Sequence, residues 1–384
     1  MTNAPTPPGD AGKPPPGAPD AAPGPATDGL APLRARIDAL DNRLVELLAE
    51  RAKVVQEVGE YKRQHGLPVY VPHREREVID RAIARNPGPL PARTVEAIYR
   101  ELMSGSFALE LPPTIAFLGP PGTFSHQAAV RHFGSSVEFV EMRDIDAVFR
   151  EVAAKRCTYG VVPYENSIGG SVDEALDAFL VHPVHACAEA LIEVNQSFLC
   201  NCAPEEVRIV YSKAEAFAQC RRWLADRLPD AQLVAVESTG AAAQRAAREP
   251  GTAAIASRLA AQLYGLHIAV DRIEDRGGNV TRFLVIGAEP AKATGDDKTT
   301  VAFAAAHRPG TLVEVLDAFR RNGINLSHIE KRPSRQENWQ YTFFIDCDAH
   351  ESAAPMRTAL DEARAHCATL RVLGSYPRAV RTMA

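Results

Sequence analysis

From Leu33 to Tyr61, apolar side chains return every three or four positions, at Leu33, Ile37, Leu40, Leu44, Leu47, Val54, Val58 and Tyr61. That spacing marks one face of a helix. The stretch Leu33–Lys62 has no proline and a single glycine, Gly59. At 1.5 Å per residue such a helix runs roughly 45 Å. That is too long for a compact monomeric domain of this size, so a helical dimer is expected. His65-Gly66-Leu67-Pro68 closes the helix. A second helix is expected from Arg74 to Arg85, stopped by Pro87-Gly88-Pro89. A third runs from Pro91 to Glu110, with Val95, Ile98, Tyr99, Leu102 and Met103 on one side.

Pro112-Pro113 changes the pattern. Short apolar runs at Thr114–Gly119, Tyr159–Pro163, Arg208–Tyr211, Leu233–Val236, Ala253–Ala256 and Arg282–Gly287 alternate with helix-like segments. The alternation predicts α/β architecture with mixed sheets, in one domain or in two lobes around a cleft. A polar linker, Ala291–Asp297, follows. Beyond it the pattern reads strand (Thr299–Ala306), helix (Pro309-Gly310 to Phe319), strands (Asn325–Arg332 and Trp339–Cys347), helix (Ala354–Cys367) and strand (Leu370–Ser375). This βαββαβ order is the ferredoxin-like split unit. The expectation is a multi-domain chain: a tail over 1–28, an all-α domain over 29–112, a two-lobed α/β domain over 113–290 and an α+β domain over 298–384.

The 384 residues carry a net charge of -5, with basic residues scattered along the chain, which gives no reason to expect nucleic acid. No stretch approaches the roughly 18 apolar residues of a membrane span. The seven cysteines include no Cys-x-x-Cys pair, and Cys200-Asn-Cys202 lacks a histidine at ligand spacing. They read as reduced thiols of a cytoplasmic protein. Residues 1–28 are nearly all Pro, Ala, Gly, Asp and Thr, a composition too poor in apolar surface to offset the entropy of ordering. They lack the apolar core of a secretory signal.

Arg51 falls on the apolar stripe, seven residues from both Leu44 and Val58. Lys62, eleven residues on, returns to nearly the same face. Arg34 lies on another face. Ser106 and Glu110 continue the Leu102/Met103 side of the third helix, and Arg74-Glu75 opens the second. Buried charge is costly unless paired. A dianionic ligand held by arginine forks would pair it. Plain ion pairs, or stems snorkelling at the stripe edge, would do so too.

Four motifs punctuate the α/β region. Gly119-Pro120-Pro121-Gly122-Thr123-Phe124-Ser125-His126 follows a strand but fits neither nucleotide-loop fingerprint, so it is an anion-binding nest or a capped turn. Val161-Val162-Pro163-Tyr164-Glu165-Asn166-Ser167 leads into Gly169-Gly170-Ser171. Tyr211-Ser212-Lys213 precedes Gln219-Cys220. Gly278-Asn279-Val280-Thr281-Arg282-Phe283 enters a strand, and its Thr-Arg pair reads either as a cap with a surface charge or as an acid with an anion clamp.

Residues 33–110, through LRARIDALDNRLVELLAERAKVVQEVGEYK and VYVPHRERE, resemble the small all-helical chorismate mutase domain. Residues 114–287, through IAFLGPPGTFSHQAA, VVPYENSIGGSV, ESTGAAA, AAIASRLAAQLYGL and NVTRFLVIG, resemble prephenate dehydratase. Pro309-Gly310-Thr311-Leu312-Val313 and Ile329-Glu330-Lys331-Arg332-Pro333 resemble the phenylalanine-binding motifs of ACT-type domains, with Thr311 where Ala is usual and Lys331 where Ser is usual. The resemblance is to the bifunctional chorismate mutase–prephenate dehydratase family. It implies rearrangement of chorismate to prephenate, then decarboxylative dehydration to phenylpyruvate, with no cofactor or metal, under feedback inhibition by phenylalanine.

For the mutase the resemblance implies that Arg34 and Arg51 hold the two carboxylates, Arg34 reaching across a homodimer. Lys62 donates to the ether oxygen, Arg74 and Glu75 orient substrate, and Ser106 contacts a carboxylate. Val71 stands where some relatives carry Asp, and Glu110 where some carry Gln. A glutamate donates to the ether oxygen only when protonated, so mutase rate is expected to fall as the pH rises.

For the dehydratase it implies Thr281 as the acid, with Arg282 and Phe283 beside it and Asn166, Ser212, Gln219, Thr123 and Ser125 lining the cleft. Gly310, Thr311, Leu312 and Val313, with Glu330, Lys331, Arg332 and Pro333, are expected to bind phenylalanine. A mutase–dehydrogenase fusion is disfavoured because no dinucleotide fingerprint follows a strand. A non-catalytic amino-acid sensor on the same folds is the alternative, and chorismate turnover separates the two.

Overall fold

The computed structural model describes residues 29–65, 72–110, 112–306, 308–333, 341–379 and 382–383. The expected tail over 1–28, Val71, and the start of the strand expected at Trp339 lie outside the described residues. The chain divides into two compact units between Val54 and Val55.

In the first unit the residues from Ala31 onward belong to α1 (Ala31–His65). The stripe read from the sequence is on the surface: Leu33, Ile37, Leu40, Leu44 and Leu47 are each about half exposed.

In the second unit the last turns of α1 are followed by α2 (Pro72–Arg85) and α3 (Ala92–Glu110). Ile79 of α2 and Met103 and Phe107 of α3 share one core with Ile115, Phe117, Phe133, Val161, Ile192 and Phe283 of the α/β region. Gly59 lets α1 approach α3 closely: a Cβ there would lie 2.9 Å from the Glu110 Cα.

The first α/β lobe begins with β1 (Thr114–Leu118), α4 (Phe124–Phe133), β2 (Glu138–Met142), α5 (Ile145–Ala153), β3 (Tyr159–Asn166), β4 (Gly170–Ser171), α6 (Asp173–Val181) and β5 (His185–Glu193). The second lobe comprises β6 (Ser197–Cys200), β7 (Ile209–Ser212), α7 (Ala214–Gln219), α8 (Arg221–Arg227), β8 (Gln232–Ala235), α9 (Thr239–Ala246), β9 (Thr252–Ala256), α10 (Arg258–Tyr264) and β10 (His267–Val270). The chain then returns to the first lobe as β11 (Val280–Gly287).

The lobes are two mixed sheets. The first has the order β16-β5-β11-β3-β1-β2, with β4 on β3, where β16 is Thr382–Met383 near the chain's end. The second has the order β10-β6-β9-β7-β8. Two connections between the sheets, one leaving β5 and one entering β11, set a cleft between them. Such a crevice, outside the strand ends of an α/β sheet, is where ligands bind.

The last domain is β12 (Asp297–Ala305), α11 (Thr311–Arg321), β13 (Leu326–Pro333), β14 (Tyr341–Cys347), α12 (Ala354–Arg364) and β15 (Cys367–Pro377). Its antiparallel sheet has the order β13-β14-β12-β15. Alternate residues of β13 face opposite ways. His328, Glu330 and Arg332 are half-buried, and Ile329, Lys331 and Pro333 are exposed.

The half-buried set grips the first lobe. His328 lies 3.5 Å from Glu165, Ser171 donates to Glu330 (3.0 Å), and Arg332 pairs with Asp173 and Asp177. At Gly374 of β15 a Cβ would fall 2.2 Å from the carbonyl oxygen of Ala186, so only glycine allows this crossing of β5.

The junction is sensitive to pH. Burial works against the charged imidazole of His328, yet its hydrogen bond to Glu165 and the nearby Asp346 raise the pKa above its ordinary value. The same bond, against burial, draws Glu165 down to about 2. A raised histidine pKa gives stability that is fully present below the unfolded value and is lost as pH rises through the folded one. The melting temperature is therefore expected to fall as the pH rises above about 6.5, and less so in His328→Gln. Parallel melting curves for the two proteins across that range would remove the junction from the account.

Candidate functional site

Thr281, Asn166 and the residues around them line a cleft of about 1060 Å³ between the lobes. The strand β11 presents Thr281 and Phe283 to it, two residues apart and hence on one face. β3 contributes Pro163 and Asn166. Two residues, Tyr164 and Glu165, separate them, because the pairing of β3 with β11 slips between Arg282 and Phe283 and leaves Tyr164 without an opposite number. The bulge keeps both cleft-facing pairs on the same side. The start of α4 adds Thr123, Phe124 and Ser125, and the start of α9 adds Glu237, Ser238 and Thr239. The N-terminal ends of both helices thus edge the cleft, where their partial positive charge suits an anion.

Around Thr281 the hydrogen-bond directions are fixed. Asn166 Oδ1 accepts the backbone N–H groups of Ile168 (3.0 Å) and Gly169 (2.8 Å). Its Nδ2 must then face the other way, where it donates to Thr281 Oγ1 (2.8 Å) and Asn279 Oδ1 (2.7 Å). Thr281 Oγ1 is an acceptor in this bond, so its own proton is left to point elsewhere. With the residue 9% exposed at the cleft wall, that direction is the cleft. Across the cleft Gln196 Nε2 donates to Gln219 Oε1 (3.1 Å), which turns the Gln219 amide N–H groups away from Gln196.

Two of the expected cleft residues are elsewhere. Arg282 lies on the opposite face of β11 from Thr281. It is buried and donates to Glu189 (2.7 Å), Asp346 (2.5 Å) and the Tyr376 hydroxyl (2.8 Å), with Glu165 at 3.4 Å. Burial alone would depress its pKa, but Tyr376, Asp346 and Glu189 hold it well above the ordinary arginine value. It is an ionic link to the last domain, not an anion clamp in the cleft. Ser212 is fully buried and its hydroxyl donates to the Ile255 carbonyl (2.7 Å); its neighbour Lys213 lines the cleft instead. Gln196, Lys213 and Asn279 are cleft residues absent from the sequence-derived site. Strand parity could have found Asn279, at two residues before Thr281.

In the helical region of the second unit, Lys62 Nζ donates to Glu110 Oε2 (2.7 Å), and the carboxylate is buried. Glu110 is the acceptor in this bond. Ser106, one helical turn before Glu110, is buried, with its hydroxyl donating to Leu102 O (2.7 Å).

Arg74 and Glu75 depart from expectation. Arg74 is exposed and donates to Glu77 (2.9 Å). Glu75 lies 3.8 Å from Arg100 and lines a separate pocket of about 180 Å³ with Arg76, Ile79, His132 and Glu189. In the first unit Arg34 is exposed and Arg51 half-buried.

In the last domain Gly310, in the left-handed region (φ 86°), caps α11, and Thr311 is buried with its hydroxyl on Arg308 O (3.0 Å). Leu312 is half-buried and Val313 exposed. Lys331 lies over the Tyr341 ring (5.2 Å), with Pro333 exposed. Glu330 and Arg332, expected at the amino-acid site, are turned to the first lobe, because strand alternation sends them to the face opposite Lys331.

Among the described residues no cluster of His, Cys, Asp and Glu is arranged to hold a metal, and no helix is long and apolar enough to cross a membrane.

Family models match in the same order as the domains: chorismate mutase type II over residues 33–111, prephenate dehydratase over 115–291 and the ACT domain over 299–365. A bifunctional chorismate mutase/prephenate dehydratase of Stutzerimonas stutzeri is 44% identical over 360 residues, covering 92% of this chain and 99% of the relative. One of Pseudomonas aeruginosa is 43% identical with the same coverage. The crystal structure of an Arthrobacter aurescens prephenate dehydratase in complex with L-Phe superposes with a TM-score of 0.65 at 32% identity, over 69% of this chain and 90% of that one.

Proposed function

Because the chain belongs to the bifunctional chorismate mutase/prephenate dehydratase family, it is an isomerase and a lyase in one polypeptide, and we propose which side chains carry each reaction. The observation that carries the proposal is the hydrogen-bond order at Thr281, whose proton is the one left to face the cleft.

Prephenate loses carbon dioxide and hydroxide, and hydroxide leaves poorly without a proton. Thr281 gives its proton to the departing oxygen, which leaves as water. The electrons of the breaking carbon–carboxylate bond move into the ring, the carbon–oxygen pair leaves with the oxygen, and the ring becomes aromatic. Asn166 Nδ2 steadies the threonine oxygen while it is short of a proton, and solvent returns the proton afterwards. A threonine hydroxyl is a weak acid, so its direction counts for more than its acidity. The helix ends at Thr123 and Ser125 and at Ser238 and Thr239, with Lys213, offer the positive surroundings a dicarboxylate needs.

For the mutase, Lys62 donates to the breaking ether oxygen, with Glu110 at its side, and Arg51 and Arg34 take the carboxylates. Arg34 comes from a second copy of the chain. The uncovered apolar stripe of α1 supports that homodimer, since an exposed stripe of this length on a helix calls for a partner. In the regulatory domain, phenylalanine meets the N-terminal end of α11 at Gly310–Val313 and the outward side of β13. The exposed Val313, Ile329 and Tyr341 support a second regulatory domain alongside. The cytoplasm is the compartment that fits seven free thiols.

The purified protein is expected to make phenylpyruvate from chorismate, and less of it with phenylalanine added. Lys62→Met should lower chorismate turnover by about 10²-fold or more while prephenate supplied directly is still consumed at the parent rate. Full chorismate turnover in that variant would remove Lys62 from the reaction.

A further inference from the structure

Prephenate carries two carboxylates at the end of the ring opposite its hydroxyl, and their fates differ. One is bonded to the ring and leaves as carbon dioxide. The other ends the pyruvyl side chain and is still present in phenylpyruvate. A cation on the first would stabilise a charge that fades as the bond breaks, and so would bind the ground state better than the transition state. A cation on the second is bound equally in substrate, transition state and product. The cleft therefore has use for a positive group at the side-chain carboxylate, away from Thr281.

Among the described residues that line the cleft, the cations are Lys213 and Arg143. Glu141, Glu215 and Glu237 line it too, so acids outnumber cations on the wall and a dianion needs a particular partner. Arg143 is 81% exposed and donates to Asp144 beside it (2.8 Å). Lys213 follows β7 of the second lobe, whereas Thr281 is on β11 of the first, so the two stand on opposite lobes of the cleft. The Lys213 backbone is held on both sides. The buried Ser212 before it donates to the Ile255 carbonyl (2.7 Å), and its own carbonyl accepts from Ala216 (3.0 Å) and Phe217 (3.1 Å) in the first turn of α7. The ammonium, by contrast, is open to exchange. Its side chain is 52% exposed, and its partner Glu215, at 3.3 Å, is 65% exposed. A pair that open contributes little, so a carboxylate entering the cleft can take the lysine from Glu215. We propose that Lys213 is a specificity-determining residue, which holds the side-chain carboxylate of prephenate and leaves the departing carboxylate without a cation. The inference rests on the reading of this cleft as the dehydratase site.

The test uses the full-length chain, with prephenate as substrate and phenylpyruvate as product inhibitor. Lys213→Met is expected to raise KM for prephenate and the inhibition constant of phenylpyruvate together, each by about tenfold or more. Uniform binding is what is lost, so kcat should stay within about twofold of the parent value. Chorismate mutase turnover and the melting temperature should not change. Lys213→Arg, which keeps the charge, should bring both constants back to within about threefold of the parent. A lysine on the departing carboxylate would give another pattern: Lys213→Met would raise kcat as well as KM and leave phenylpyruvate inhibition as it was. That result overturns the proposal. So does a parent-like KM in Lys213→Met, or a lowered melting temperature accompanied by a lowered kcat. The two readings fail separately. A parent protein that does not consume prephenate would sink the dehydratase site itself, whereas normal turnover at unchanged KM in Lys213→Met removes only the lysine.

Discussion

An Arg282→Met variant is expected to melt about 10 °C below the parent protein while its KM for prephenate stays near the parent value. The guanidinium is buried between Glu189 and Asp346, whose side chains are 1% and 0% exposed, and it also donates to Tyr376. Asp346 accepts from Thr300 as well (2.6 Å), and Lys298 reaches Glu189 (3.3 Å). Removing one partner from such a set strands the others as uncompensated buried charge, at about 3–5 kcal/mol. At about 2–4 °C per kcal/mol for a cooperative unit of about 150–250 residues, the shift is on the order of 10 °C.

Methionine fills much of the volume, so the loss comes from charge and not from a cavity. Adding Asp346→Asn should recover part of the melting temperature by removing one stranded carboxylate. The alternative reading of Arg282, an anion clamp in the cleft, makes the opposite forecast. It requires a KM raised by tenfold or more in a protein of unchanged stability, and calorimetry with steady-state kinetics on the one variant decides between them.

The same residue shows where sequence reasoning stopped. Thr281-Arg282-Phe283 reads as one motif, but in a strand successive side chains leave on opposite faces. Thr281 and Phe283 reach the cleft, and Arg282 reaches the regulatory sheet. Applying that parity would also have brought in Asn279. Ser212 failed for a different reason. Its hydroxyl is consumed by the Ile255 carbonyl of a neighbouring strand, a pairing set by sheet order that no local pattern carries.

Elements with strong periodicity and clear punctuation were legible. The expected βαββαβ order of the last domain matches β12 through β15, with ends shifted by a few residues, because Pro309-Gly310, Gly323 and the alternating strands mark each boundary. β5 was missed. Its sequence, HACAEALIE, is rich in alanine and holds two glutamates, a composition suited to a helix. Burial in the middle of a sheet made it a strand, and one of those glutamates became the partner of Arg282. Within the helical region the stripe of α1 was plain. The side of α2 on which Glu75 would fall depends on how that helix packs on the α/β lobe, a long-range contact invisible to spacing.

Thr281→Val is expected to lower dehydratase kcat by about 10³-fold, a barrier increase of about 4 kcal/mol, with chorismate mutase turnover untouched. Valine has nearly the shape of threonine and a β-branched residue suits β11, so the strand should keep its place between β5 and β3. What disappears is the hydroxyl. Asn166 Nδ2 loses one of its two acceptors but keeps Asn279 Oδ1, so the wall of the cleft stays ordered. The reaction then has to expel hydroxide without a proton from the protein.

Thr281→Ser restores a hydroxyl that the same Asn166 bond can orient, and it should recover most of the rate. A threonine does not titrate in the working range, so the parent kcat should not rise or fall with pH on account of this residue. Mutase assays on the same preparations report whether each variant is folded. A valine variant that still releases phenylpyruvate at the parent rate, with its mutase intact, would leave the departing oxygen to some other donor and take Thr281 out of the chemistry.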